Sequence, residues 1–233
     1  MDPKTAIQQL HIQPYAIPQN IRSHFEDNAI TAKCLSLQNY EPTVPWARMQ
    51  GSANGLFLST LNNENTIPHW ITLRTKQRRN LPTAPTPGVE VSTTTKPDLI
   101  TLIHLGGSGV CSFHNTLHGG MISTLFDEVF FATLHHVMYT HPADVDNPTR
   151  FSTMQLDVKY RRPVRVPGIV VVRAWCLAIA GRKCWTYAEL LQESGDDQSR
   201  ASSTDAGGAD VMERLHVAAT CEAFWLRSGG MKL

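Results

Sequence analysis

One segment limits the possible folds of this chain more than any other. After the glycine pair Gly119-Gly120, residues 121–138 are apolar on nearly every side of a helical projection, and their number is enough for about five helical turns. A helix that is apolar all round must be enclosed by other structure. The segment therefore predicts one long helix that is buried against a sheet.

Segments that favour β-structure flank this helix. One apolar run precedes it, at residues 98–105, and Gly106 to Gly109 end that run. Four more follow it, at residues 152–160, 168–179, 183–191 and 215–226. No helical pattern separates the later strands, whereas parallel strands need a covering helix at each crossover. The fold class predicted is α+β, with one helix wrapped by an antiparallel sheet.

The first strand after the helix alternates strictly. Its even-numbered residues Met154, Leu156, Val158 and Tyr160 are apolar, and the odd-numbered residues between them are polar. This alternation predicts that Thr153 lies on the polar face of the strand.

The first 90 residues differ from the rest of the chain. They contain scattered prolines and weak periodicity, and the stretch 81–88 is typical of a linker. We predict an N-terminal extension over residues 1–90, with one helix in 20–37 and short extended pieces in 55–61 and 70–74. The second predicted domain covers residues 91–233, and its polar stretch 195–210 is expected to form a hairpin loop.

Composition excludes some classes of partner. The chain has 21 Lys and Arg against 20 Asp and Glu, so no overall charge draws it to nucleic acid or to an anionic membrane. No window reaches eighteen uninterrupted apolar residues, which argues against a membrane span, and the N-terminus lacks the apolar core of a signal peptide. Five scattered cysteines favour reduced thiols. We expect a cytoplasmic protein.

Asp127 is the residue that points most directly to chemistry. It lies in the middle of the apolar helix, where an ionised carboxylate is costly to bury without a purpose. A salt bridge to a later arginine, or an exposed helix face, would also explain it. Glu128 points about 100° away and is interpreted as a structural carboxylate. At the start of the helix, unpaired backbone N–H groups at Gly119 and Gly120 would bind an oxyanion.

These residues resemble a known signature. The stretch His118-Gly119-Gly120, followed by six residues and then Asp127, is similar to the HGG-x(6)-D motif of PaaI-like hotdog-fold acyl-CoA thioesterases. The similarity covers residues 97–227 and is greatest to the branch with an N-terminal extension. It implies hydrolysis of an acyl thioester to a carboxylic acid and a thiol, without a cofactor and without a metal.

The resemblance also implies roles for individual residues. Asp127 would act as nucleophile or as general base for water, and both mechanisms stay open. The Gly119 and Gly120 amides would polarise the thioester carbonyl, His118 would shape that turn, and Thr153 would help to place the water or the carboxylate. Relatives often have an asparagine six residues before the histidine; here that position is Ser112, and Asn115 lies nearby.

Four basic residues are candidates for binding the thiol carrier. They are Arg161, Arg162, Arg182 and Lys183. They could contact the phosphates of coenzyme A, or the phosphopantetheine and acidic helix of an acyl carrier protein. The carrier is therefore either acyl-CoA or an acyl-carrier-protein thioester, and release of a polyketide or fatty acyl chain from a carrier protein is the second interpretation.

The spacing along the helix predicts an oligomer. Eight residues separate Gly119 from Asp127, or about 12 Å along the helix axis, so one thioester carbonyl cannot contact both residues of one chain. If both act on the same carbon, the site lies across a two-fold interface between chains. The resemblance likewise implies a homodimer or a homotetramer made from dimers.

Other functions fit the sequence less well. The stretch Gly106-Gly107-Ser108-Gly109-Val110 approaches the serine-hydrolase nucleophile elbow but ends in valine. His135, His136 and His141 suggest a metal site, yet adjacent helical histidines diverge and no zinc motif accompanies them. A hotdog dehydratase would need a histidine paired differently with a carboxylate. A non-catalytic acyl-binding hotdog module is the main alternative to an enzyme.

Overall fold

The computed structural model describes residues 15–49, 54–77, 79–85, 95–138, 150–194 and 211–228. The predicted loop at 195–210 and His141 lie outside these ranges. In the described part of the chain, no helix is both long enough and apolar enough to cross a membrane.

Among the residues described before the predicted domain, two short α-helices and two strands are present. Helix α1 spans Gln19–Glu26 and α2 spans Ala29–Leu35. Strand β1 follows at Tyr40–Thr43 and β2 at His69–Thr75. The strand expected at 70–74 is confirmed. The single helix expected in 20–37 is interrupted, because the Asn28 side chain caps a new helix by accepting from the N–H groups of Ile30 and Thr31 at 3.1 Å.

The extended piece predicted at 55–61 is wrong. Leu56–Thr60 forms a short π-helical turn instead. Phe57 is its buried residue and packs edge-on against Trp70 of β2, with ring centroids 5.6 Å apart. A single buried aromatic ring gives no periodicity by which a sequence would show a helical turn.

The remaining elements follow the predicted order. Strand β3 spans Leu99–Leu105, and a small hairpin of β4 and β5 follows it, at Cys111–Phe113 and Thr116–Leu117. The long helix α3 spans Gly119–Met138. The last four strands are β6 (Arg150–Tyr160), β7 (Gly168–Ala180), β8 (Lys183–Glu193) and β9 (Leu215–Ser228). All five predicted strands of this region and its helix are present.

In the part of the chain that the structure describes, the main sheet has seven strands in the order β1-β2-β3-β7-β8-β9-β6, and every neighbouring pair is antiparallel. Strand β6 is one edge and β1 is the other. The predicted α+β hotdog fold, an antiparallel sheet around one long helix, is confirmed. The N-terminal segment belongs to the same sheet, because β2 pairs with β3 along its length; the proposed boundary near residue 90 stays a prediction.

The two faces of the sheet carry separate apolar cores. The main core lies between α3 and one face, where Phe126, Phe130 and Trp225 are almost fully buried. The second core lies on the opposite face, under α1 and α2, and contains Phe25 and Ile71. Successive side chains of β2 and β3 point alternately into the two cores. This explains why these strands are apolar on both faces.

Candidate active site

Helix α3 and edge strand β6 bring two of the predicted residues into direct contact. The Thr153 hydroxyl of β6 donates a hydrogen bond of 2.6 Å to Oδ1 of Asp127 in α3. A hydroxyl-to-carboxylate distance in this range is typical of a strong, charge-assisted bond. It holds one carboxylate oxygen in place and leaves Oδ2 for other partners. Thr153 is exposed and Asp127 is partly exposed, so a ligand can reach the pair.

A β-bulge explains why Thr153 reaches the helix. The alternation of β6 predicted that Thr153 lies on the polar face, away from Leu156 and Tyr160; this is wrong. Thr153 pairs with Trp225 of β9, whereas Gln155 pairs with the next residue, Phe224, so the register shifts at Met154. One extra residue exchanges the faces of a strand. Thr153 therefore lies on the same side as Leu156 and Tyr160.

The surroundings of Asp127 do not favour an ion-pair role. Among the described residues, no lysine, arginine or histidine nitrogen lies within 4.0 Å of its carboxylate. The other polar residues of this helix face bond to the backbone: Thr124 donates to the Gly120 carbonyl at 2.9 Å and Ser123 to the Gly119 carbonyl at 3.4 Å. The carboxylate is thus held by a hydroxyl and left without a countercharge in this part of the molecule.

Glu128, the neighbouring carboxyl group, faces the N-terminal segment. The Asn54 side chain donates to its Oε1 at 2.8 Å. Burial, together with the nearby Asp127 charge, raises the pKa of Glu128 to about 7, although the hydrogen bond from Asn54 and the charge of Arg48 oppose the shift. The interpretation of Glu128 as a structural carboxylate agrees with these contacts.

Arg48 links several parts of the N-terminal segment through hydrogen bonds. Its guanidinium donates to the carbonyl oxygens of Phe57, Leu61 and Ile67, and it lies 6.0 Å from the ring centroid of Trp70. Burial lowers the pKa of Arg48 to about 10, and the Glu128 carboxylate opposes that shift. The N-terminal segment therefore supports the helix that carries Asp127.

At the helix N-terminus the two predicted amides differ. The Gly120 N–H donates to Nδ1 of His118 at 2.9 Å. This N–H group is therefore already paired with the histidine ring. Within the described residues, the Gly119 N–H donates to no group of the chain. His118 is exposed, and its ring lies across this turn. The geometry leaves Gly119 as the amide that is open to an oxyanion.

Tyr160 is a residue of this site that the sequence did not identify. Its hydroxyl donates to the Gly119 carbonyl at 3.1 Å and lies 3.0 Å from the Ser123 hydroxyl. Its ring lies against Gly119, where an added Cβ would be 3.5 Å from the ring. Only the bulge in β6 aligns Tyr160 and Thr153 on one face, and nothing in the alternation of the sequence indicates a bulge.

The predicted carbonyl-positioning residues lie in the β4–β5 hairpin. Ser112 is exposed on β4, and Asn115 occupies the turn with a positive φ of 56°. Asparagine is one of the few residues that accept this conformation readily. The Asn115 carbonyl also accepts from the Val166 N–H at 3.1 Å. A turn-forming role thus accounts for Asn115 by itself.

The four basic residues form two separate pairs. The Arg161 and Arg162 N–H groups donate to the Ala218 carbonyl of β9, whereas Lys183 pairs with Leu226, eight residues further along that strand. At about 3.3 Å per residue the two pairs are about 26 Å apart. Arg182 donates to the Arg227 carbonyl at 3.0 Å. Within one chain, a single phosphate group cannot contact both pairs.

Comparison with known proteins identifies the region that carries this site. Residues 114–198 match the family model described as the thioesterase superfamily. This part of the chain is therefore similar to the thioesterase superfamily. The match includes α3, β6 and the hydrogen-bonded pair of Asp127 and Thr153.

Two curated proteins share part of this sequence. Verlamelin biosynthesis protein B of a Lecanicillium species is 29% identical over 143 residues, which cover 54% of this chain and 59% of that protein. An uncharacterized protein of Schizosaccharomyces pombe is 32% identical over 90 residues, or 39% of this chain and 47% of that protein. The chain thus spans about half the length of the curated relatives that it matches.

Solved structures of thioesterases are also similar to the chain. A mutant thioesterase from Pseudomonas aeruginosa matches with a TM-score of 0.40 and 14% sequence identity, covering 56% of this chain and 74% of that one.

Proposed function

We propose that the predicted domain hydrolyses acyl thioesters, with Asp127 as the reacting carboxylate. The observation that carries this proposal is the 2.6 Å hydrogen bond from Thr153 to Asp127, on an accessible face of the region that matches the model of the thioesterase superfamily. A mid-helix carboxylate without a countercharge among the described residues and with one fixed oxygen is poised to use its other oxygen.

The reaction can follow two routes from this geometry. As a general base, Oδ2 of Asp127 takes a proton from water while the water oxygen attacks the carbonyl carbon; the C–S bond then breaks and the thiolate takes up the proton. As a nucleophile, Oδ2 attacks the carbonyl carbon itself, the thiolate leaves, and water hydrolyses the resulting anhydride. In both routes the carbonyl oxygen becomes negative, and a free N–H at a helix N-terminus stabilises it.

We further propose that each site is shared between two chains. The Gly119 amide and Asp127 of one α3 are about 12 Å apart along the helix, too far for both to contact one carbonyl group. Phe113 of β4 and Met154 and Tyr160 of β6 are large apolar residues, and they are 77%, 55% and 55% exposed. Because β6 is a sheet edge beside them, a second copy that covers this face would supply Gly119 to the Asp127 of the first.

Acyl-CoA is the substrate class that we propose first. The Arg161 and Arg162 pair is exposed at the end of β6, directly after Tyr160, which contacts the helix N-terminus. Guanidinium groups there can bind the phosphates of coenzyme A. Arg182 and Lys183 lie at the other end of the strands, so they would serve a carrier bound to a different part of the dimer. The cytoplasmic location stays a prediction.

Release of an acyl chain from a carrier protein is the second candidate. One observation favours it: a relative with 29% identity is named as a biosynthesis protein, for verlamelin. The same two pairs of basic residues would then contact the acidic surface of the carrier protein.

A substrate panel tests the proposed function and separates the candidates. Purified full-length protein is assayed with acyl-CoAs of graded length, with acyl-carrier-protein thioesters and with acyl N-acetylcysteamine thioesters, which lack phosphate. We expect hydrolysis of acyl-CoA with a kcat/KM well above that for the uncharged thioester. A preference for the carrier-protein thioester would establish the second candidate. Saturable acyl-CoA binding without turnover would contradict hydrolysis and indicate an acyl-binding module.

A further inference from the structure

Three histidines meet on the face of the sheet opposite α3. His24 comes from the last turn of α1, His69 begins β2 and His104 lies near the end of β3. His69 and His104 are direct cross-strand partners. The His24 ring stacks on that of His104 and lies over that of His69, with centroid distances of 4.5 Å and 4.4 Å. We call this group the histidine cluster.

The nitrogens of the histidine cluster converge. One nitrogen from each ring lies within 4.8 Å of the other two. Around a tetrahedral zinc ion with Zn–N distances of about 2.0–2.1 Å, two ligand nitrogens are about 3.3 Å apart. The nitrogens therefore need to approach one another by at most about 1.5 Å. All three side chains are partly exposed, so rotation of the imidazoles supplies this movement and an ion can enter.

Each ring also has a buried nitrogen without a hydrogen-bond partner among the described residues. These atoms are Nε2 of His24, Nδ1 of His69 and Nδ1 of His104. Buried polar atoms are nearly always paired in folded proteins, since an unpaired one costs free energy. Three such atoms in one cluster have a common explanation if they are ligands of one ion.

The chemistry of the cluster suits a cation. Neutral imidazole is the form that binds metals. Glu64 acts on both rings with its negative charge, which favours a cation nearby. Imidazole ligands in threes are typical of zinc sites, where water takes the fourth position.

We propose that His24, His69 and His104 bind a divalent transition-metal ion, Zn²⁺ being the best fit, and thereby fasten α1 to β2 and β3. The ligands lie on the face of the sheet that carries the second core, so this site is separate from Asp127. The sequence alone predicts no metal site, because 45 and 35 residues separate the three histidines and no short motif links them. Only the pairing of β2 with β3 and the position of α1 bring them together.

Metal titration of the full-length, tag-free protein tests the proposal. After dialysis against a chelator, the protein is titrated with Co²⁺, whose visible absorption reports the ligand geometry, and with Zn²⁺ in a calorimeter. We expect one equivalent to bind, an intense cobalt spectrum of the tetrahedral type, and a higher Tm with zinc. Absence of saturable binding at one equivalent would overturn the proposal.

Matched substitutions identify the ligands. His24→Gln and His104→Gln are compared with the control His216→Gln, which changes a histidine of β9 that bonds to Ser194 at 3.2 Å. Loss of an outer-sphere partner already costs about 10- to 100-fold in metal affinity, so each cluster variant should lose at least that much, and the control should bind as wild type does. Equal affinity in both cluster variants and the control would refute the assignment. Circular dichroism confirms that each variant is folded.

Discussion

Glu128 provides a prediction whose size can be worked out from the structure. Its carboxyl is mostly buried beside Asn54, and its pKa is raised from 4.5 to about 7. The folded protein therefore holds a proton on Glu128 up to about pH 7, whereas the unfolded chain releases it near pH 4.5. The free energy of unfolding should fall as the pH rises between these two values and should be constant above them. A pKa shift of this size lowers the free energy of unfolding by at most about 3 kcal/mol.

The substitution Glu128→Gln removes this pH-dependent loss of stability. The amide is almost isosteric, its oxygen can accept the hydrogen bond from Asn54, and it does not ionise. At pH 8 the variant should be more stable than wild type by up to about 3 kcal/mol, and a chain of this size gains about 2–4 °C in Tm per kcal/mol. At pH 5 wild-type Glu128 is protonated when folded, so the gain should be much smaller.

Thermal or denaturant unfolding at pH 5 and pH 8 checks this difference. Glu213→Gln is the matched control, because Glu213 is exposed and its substitution should change stability by less than about 0.5 kcal/mol at either pH. Destabilisation of the Glu128→Gln protein at pH 8 would refute the reasoning. It would show that the ionised Glu128 carboxylate makes a net favourable interaction in the folded protein, with the Arg48 charge as the nearby partner.

Two further predictions concern the site itself. Thr153→Ala should lower kcat by about 10- to 100-fold, since a hydrogen bond to a charged group is worth about 1.5–3 kcal/mol, while Thr153→Ser keeps the hydroxyl and most of the rate; equal rates in both variants would contradict a role for the hydrogen bond. Mixing Asp127→Asn chains with Gly119→Pro chains, which lack the proposed oxyanion amide, should restore activity if each site uses both chains. Inactive heterodimers, shown to form, would count against a shared site.

The parts of the fold that the sequence predicts correctly are those with a repeated apolar pattern. Residues 121–138 need an enclosing sheet, and the strands on either side show the runs that a sheet needs. The N-terminal segment has no such pattern: the break between α1 and α2 depends on one cap, Asn28, and the helical turn at Leu56–Thr60 on one buried ring, Phe57. The effects of a single cap or a single buried ring can be recognised only when the tertiary contacts are known.

Only part of the candidate site can be predicted from the sequence. Asp127 stands out because a carboxylate in an apolar helix needs a reason, and the glycines before it indicate a helix N-terminus. The alternation in β6 assigns Thr153 to the wrong face, since an inserted residue at Met154 leaves no mark in the sequence. Tyr160 was missed for the same reason. The histidine cluster depends on contacts between residues distant in the chain.

The rate of thioester hydrolysis by the Asp127→Asn protein tests the central claim most directly. The amide preserves the shape of the side chain but is neither basic nor nucleophilic. On the best acyl-CoA of the panel, kcat should fall by about 100- to 10,000-fold or more, while circular dichroism and Tm stay close to wild type. Asp157→Asn, the same change at an exposed position of β6, should keep the wild-type rate. A folded Asp127→Asn protein that retains most of the wild-type kcat would contradict the account.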